Sequence, residues 1–215
     1  MKYEEYCLNG YKLRSFLEYY FGLWLNELQE QNFINKWTYE DVTFPLFEGL
    51  KLPYKKRLKY KIKDEIEHIF DVASFTEDFC IHWNISSENL FYLNPEVPIS
   101  GNVSDIPFRL GNGKDLISYI DVKSTNASTT SSSVSYPYKA KWVYQKYGIL
   151  IHKIYPFSLG KTDYKKCLFY QTFFPKKVVE EQFYVKSGSW GKAGTSKIKF
   201  PIKTLEEYLK LRGYE

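Results

Sequence analysis

The chain has 215 residues, 44% of them hydrophobic and 26% charged, the profile of a folded globular protein and not of a disordered or fibrous one. The net charge of +5 and a pI of about 8.8 allow a polyanionic partner without demanding one. Three widely spaced cysteines, Cys7, Cys80 and Cys167, exclude a zinc ligand pattern and fit reduced thiols in a cytoplasmic protein. No secretory signal is read at the start, and no apolar run approaches membrane-spanning length.

In chain order, the first expected element is a helix over Tyr11 to Phe33, started at Asn9-Gly10. Leu13, Phe16, Leu17, Tyr20, Phe21, Trp24, Leu25 and Leu28 form one apolar stripe on it, with Glu18 and Glu27 beside or opposite. Next comes "KLPYKKRLKYKIK", seven positive charges in thirteen residues. Between Arg57 and Lys63 its basic residues alternate with Leu58, Tyr60 and Ile62, giving a strand one cationic face and one buried face. The bland alternative is a solvated surface. Asp64 to Val72 reads as a short helix carrying His68, and "FCIHWNI" as a strand.

The stretch "SDIPFRLGNGKDLISYIDVKS" reads as a β-hairpin. With Gly111 to Asp115 as its turn, Leu110 faces Leu116, Phe108 faces Ser118, Ile106 faces Ile120 and Asp105 faces Asp121. Ser118, Ile120 and Val122 then share a core face, while Ile117, Tyr119, Asp121 and Lys123 share the other. Facing carboxylates are a few ångströms apart and repel. A Mg²⁺ ion bound by Asp105 and Asp121 relieves that repulsion and accepts phosphate oxygens, and the Lys123 amine stands beside it. Pro107 disturbs this register, because proline prefers edge strands and bulges.

Beyond the hairpin, "NASTTSSSVS" reads as a polar loop, and Ser124 to Lys141 as a candidate DNA contact. Gly148 to Tyr155 and "KCLFYQTFF" read as strands, and Lys186 to Lys199 as a loop that presents Trp190. A final helix in "TLEEYLKLRG" has Thr204 as N-cap, Glu207 as its capping-box partner and Gly213 as its stop. His82 and His152 sit among apolar neighbours and read as core residues. The fold class expected is α+β or mixed α/β: a single domain with a central mixed β-sheet flanked by helices.

The "SD" at Ser104-Asp105, the fifteen-residue gap and Asp121-Val122-Lys123 after "LISYI" resemble the PD-(D/E)xK nuclease superfamily, the fold of most type II restriction endonucleases. Ser104 replaces the usual proline of that pattern. The resemblance implies a restriction-endonuclease-like core over about residues 10 to 155, with 156 to 215 contributing to DNA recognition. It implies an N-terminal helix with a supporting glutamate, Glu18 or, alternatively, Glu27, and a strand after the DxK motif that continues the sheet. It also implies a Mg²⁺-dependent endodeoxyribonuclease acting on double-stranded DNA as a homodimer, with Asp105, Asp121, Lys123 and Glu18 catalytic. The alternatives are a non-catalytic nucleic-acid-binding module that uses Lys51 to Lys63, or a repair, structure-selective or RNA-cleaving nuclease of the same superfamily. His68 with two acids and a lysine would suit the RNA-cleaving kind.

Overall fold

A computed structural model describes residues 6–87, 90–91, 116–125, 131–158, 167–181, 189–190, 198–199 and 202–214. The chain opens with a small hairpin, β1 (Tyr6–Leu8) and β2 (Tyr11–Leu13). Asn9 and Gly10 turn it with φ of 51° and 84°. Asn-Gly is the pair that a two-residue hairpin turn with positive φ favours. The helix predicted from Tyr11 therefore starts later: α1 spans Phe16–Glu30, with Ser15 as its N-cap.

A four-stranded sheet forms the centre. It consists of β3 (Ile34–Tyr39), β8 (Phe79–Trp83), β9 (Ile117–Val122) and β10 (Ile151–Ile154), in the spatial order β10-β9-β8-β3. The first two pairings, β3 with β8 and β8 with β9, are antiparallel, and β9 with β10 is parallel. Helix α2 (Ser131–Tyr147) makes the crossover from β9 to β10 that a parallel pair requires. The protein is thus an α+β fold with a mixed central sheet.

The sheet has a core on each face. Phe21, Trp24, Leu25 and Leu28 of α1 meet Phe79, Ile81, Ile120, Val122 and Ile154 on one side. The same core takes in α3 (Leu168–Gln171), α4 (Lys176–Glu181) and α5 (Leu205–Leu211), through Phe169, Val178 and Tyr208 among others. On the other side Tyr136, Ala140 and Val143 of α2 pack on Tyr119, Ile151, Phe44 and Phe75. Side chains of β9 alternate between the two faces as the sequence required. Ser118 is the polar exception on the apolar face, and the indole N–H of Trp83 donates to its hydroxyl at 2.9 Å.

Between β3 and β8 the chain leaves the sheet as a ribbon. β4 (Thr43–Phe47) pairs with β7 (Ala73–Thr76), and beyond them β5 (Leu50–Arg57) pairs with β6 (Ile62–Phe70). Gly49, at φ 86°, allows the step from β4 to β5. A Cβ there would lie 2.9 Å from the Phe70 carbonyl oxygen.

Several sequence expectations are corrected here. Asp64 to Val72 is not a helix, because its backbone groups are satisfied across the ribbon by β5. Leu58, Tyr60 and Ile62 form no buried face: residues 58–61 turn the ribbon, and all three side chains are exposed. Ser131 onward is helix α2 and not loop; its anchors Tyr136, Ala140 and Val143 recur at helical spacing, hidden among exposed aromatics. "KCLFYQTFF" carries the helical turn α3 and not a strand. The hairpin register of Ile106 and Phe108 against β9 is also replaced. Ile117–Ile120 pairs with β8 and Tyr119–Val122 with β10, so both edges of β9 are taken. Residues 105–110, with Pro107, lie outside the described residues. The strands in "FCIHWNI" and Gly148 to Tyr155 appear as β8 and β10, and the capping box of Thr204 and Glu207 is present. Trp190 belongs to β11 (Ser189–Trp190), paired with β12 (Ile198–Lys199); the rest of that loop lies outside the described residues.

Glu77 is fully buried where the ribbon rejoins the sheet, and its Oε1 accepts the Val42 N–H at 2.9 Å. Burial pushes its carboxyl up to about 7. A carboxyl raised in the folded state binds its proton more tightly there than in the unfolded chain. Folding therefore gains most below about pH 4.5 and loses stability as pH rises to about 7. Glu77→Gln keeps the acceptor and removes the charge. Thermal melts in metal-free buffer should show the variant equal to wild type at pH 4.5 and a few degrees above it at pH 8; no difference at pH 8 would contradict this account.

Candidate active site

Asp121 and Lys123 stand at the end of β9, on the α2 face of the sheet. The side chain of Asp121 is 4% exposed as a residue, and its Oδ2 lies 2.7 Å from Lys123 Nζ. The Lys123 backbone N–H donates to the Ile154 carbonyl at 2.8 Å, so the lysine continues the ladder with β10. Lys153 of β10 is in register with Asp121 and shares its face. Both Lys123 and Lys153 hold Nζ 5.9 Å from the centre of the Tyr136 ring, within cation–π range. Tyr136, whose hydroxyl donates to the Ile151 carbonyl, gives the two amines an apolar floor.

A second carboxylate meets them from β8. Asp78 immediately precedes that strand, where antiparallel pairing sets the start of β8 against the end of β9. Its N–H donates to the Ile120 carbonyl at 2.9 Å, and its Oδ2 accepts the Val122 N–H at 2.6 Å. Burial raises the Asp78 carboxyl, Asp121 raises it further, Lys123 opposes both and Glu18 adds to the rise. Asp121 is likewise raised, first by burial, with Lys123 pulling it down, Glu18 pushing it up and Lys153 pulling it down.

Glu18 reaches the same field from α1. It is 8% exposed and tightly held. Its Oε2 accepts from the Tyr39 hydroxyl at 2.6 Å and the Arg14 N–H at 2.8 Å, and its Oε1 accepts from the Ser15 hydroxyl at 2.9 Å. These bonds place it in the first turn of the helix, where a carboxylate also favours the helix dipole. Glu27, the alternative, points elsewhere: its Oε1 accepts the Lys176 N–H at 2.5 Å and anchors the start of α4.

The structure thus brings Glu18, Asp121 and Lys123 into one electrostatic neighbourhood. Asp105 lies outside the described residues. On the β8 side of Asp121, the place that the hairpin register gives to Asp105 is occupied by Asp78. Sequence reasoning missed Asp78 because 42 residues separate it from Asp121. A signal was present: Asp78 heads the apolar strand "FCIHW", and an acid there precedes the core run directly. Lys153 was missed too, although it alternates with apolar neighbours in "ILIHKI". His82 lies on β8 and its imidazole is pushed down by burial. His152 is buried on β10, and His68 is exposed on β6. None of the three belongs to the acidic group.

Among the described residues, no three His, Cys, Asp or Glu side chains converge as a ready metal cage. The donor set of Asp78 and Asp121 is all oxygen; burial raises both carboxyls, with Asp121 adding to the rise at Asp78 and Glu18 to the rise at Asp121. That chemistry fits a hard cation that takes one or two carboxylates and keeps its remaining places for water and phosphate. Among the described residues, no helix is long and apolar enough to cross a membrane.

Binding a dication must displace protons from two raised carboxyls. Added Mg²⁺ or Mn²⁺ should therefore raise the melting temperature more at pH 8 than at pH 5. Asp78→Asn and Asp121→Asn should each abolish that shift in differential scanning fluorimetry. A shift of equal size in Asp78→Asn would remove Asp78 from the site. No protein-family model matches the chain, and neither a curated protein nor a solved structure matches it.

Proposed function

We propose that the protein is a Mg²⁺-dependent endonuclease that hydrolyses phosphodiester bonds in double-stranded DNA. The observation that carries this reading is the meeting of Asp78 and Asp121, from neighbouring antiparallel strands, beside the Lys123 amine. The order of elements supports it as well. A helix with a supporting glutamate, neighbouring strands with the acids and a further strand after Asp121-Val122-Lys123 that continues the sheet are what the nuclease resemblance implies. The first acid of that pattern is reassigned from Asp105 to Asp78, and a restriction-endonuclease-like core is proposed on the same grounds.

Asp78 and Asp121 would hold the Mg²⁺ ion. Bound there, it supplies Lewis acidity toward phosphoryl oxygens and water. Lys123, held by Asp121, orients the attacking water and offsets negative charge as it grows on phosphorus. The buried Tyr136 ring lies beneath both amines, and their partial burial strengthens their field. Glu18 acts through position: it adds negative charge behind both acids and fixes the helix end that backs them. A restriction enzyme working as a homodimer fits the two-fold symmetry of a duplex site.

The test is cleavage of a phage genome with Mg²⁺, analysed for discrete fragments. Asp78→Asn, Asp121→Asn and Lys123→Ala should each lower the rate by at least a thousandfold, with the fold intact by circular dichroism. Asp105→Asn should cut within a few-fold of wild type. A dead Asp105→Asn with an active Asp78→Asn would return the first acid to its sequence-based position. Wild type that binds DNA without cutting under either Mg²⁺ or Mn²⁺ would replace the nuclease by a binding module.

A further inference from the structure

The β5–β6 ribbon is an arm. Every residue of both strands is exposed except the half-buried Glu65. At about 3.3 Å per residue, its eight-residue strand reaches roughly 25 Å beyond Gly49. Its outer part, Lys55 to Lys63, holds six cations and no acid in nine residues. Glu65 neutralises only one face: it accepts from Lys56 at 3.3 Å, Lys63 at 3.4 Å and the Tyr54 hydroxyl at 2.8 Å. Lys55 and Arg57 lie on the opposite face, with Asp64 across the ladder from Lys55 and Ile62 across from Arg57, and Lys59 and Lys61 lie in the turn. Among the described residues, no acidic side chain forms an ion pair with any of these four. Tyr60 crowns the turn at 88% exposure, with Lys59 Nζ 5.2 Å from its ring centre.

We infer that this arm is a DNA-binding element, its cationic tip docking in the major groove of duplex DNA. Charge complementarity selects the occupant. Arg57, Lys59 and Lys61, with no acid across the ladder from them, form a cationic tip that suits a polyanion, and a protein partner would have to be strongly acidic to match it. Shape selects the groove, because the B-DNA major groove admits a two-stranded β-ribbon. Lys55 and Arg57 face phosphates along one wall, and Tyr60, with Lys59 and Lys61, meets the groove floor and the opposite backbone. The inference rests on the duplex substrate proposed above but not on cleavage, so the two can fail separately.

The experiment measures binding of a fluorescent 24-base-pair duplex by anisotropy in EDTA, across a salt series. Wild type is compared with Arg57→Ala/Lys59→Ala/Lys61→Ala. A charge-matched control carries Lys12→Ala/Arg14→Ala/Lys36→Ala, three exposed cations on and beside β2 and on β3. The arm variant should bind at least tenfold more weakly at 0.1 M salt. Its log–log salt slope should fall by about 2 to 3, near 0.9 for each phosphate that is no longer neutralised. The control should stay within about twofold. Equal binding by the arm variant and wild type, or equal weakening in arm variant and control, would overturn the inference. So would sedimentation showing that the arm variant no longer self-associates while its DNA affinity is unchanged, since the arm would then dock on a second copy. Failure of wild type to cut DNA, with the arm effect intact, would leave this inference standing and sink the nuclease reading alone.

Discussion

One antiparallel register governs the candidate site. Phe79 pairs with Ile120, and this places Asp78 against the Asp121–Val122 peptide. The Val122 N–H then closes on Asp78 at 2.6 Å, and the two carboxylates are committed to the same end of the β8–β9 pair. A slip of one residue would turn Asp121 to the apolar face and bring Ile120 out of it, because successive side chains on a strand point to opposite sides. The hydrophobic contacts of Ile120 and Val122 with α1 resist that slip. Core packing and acid geometry are therefore one constraint: the sheet cannot bury its aliphatic face without opposing the acids.

The repulsion this creates is contained locally. Lys123 shields Asp121 directly, Lys153 contributes from the parallel neighbour, and Tyr136 offers both amines a ring face. Glu18 adds negative charge that the helix N-terminus and three hydrogen bonds hold in place.

What the sequence made legible was the part with a short period. The alternation in "LISYIDVK" set the two faces of β9, and the capping signals set α5. The stripe from Leu17 to Leu28 marked α1, but its start was misread. Asn9-Gly10 is hairpin chemistry, and Ser15 three residues before Glu18 was the true cap. The partner of β9 was not legible. Local turn chemistry at Gly111 to Gly113 suggested the nearest strand, whereas tertiary packing chose β8, far upstream in the chain. Helix α2 was hidden by composition: its serines and exposed tyrosines look like loop, and only Tyr136, Ala140 and Val143 reveal the buried side.

The ribbon's attachment has a mechanical side. Thr43 and Thr76 form its last rung, and Glu77, the one residue between that rung and Asp78, is clamped to Val42 on the other strand. Both legs of the arm therefore enter the body at a fixed spacing, and between tip and acid the ladder is interrupted where β4 and β7 give way to β5 and β6. The separation of the cationic turn from the carboxylates is written in peptide units and ladder bonds, not in rotamers. The molecule carries a built-in ruler, and lengthening or shortening it by a pair of residues would move its far mark while leaving the near one in place.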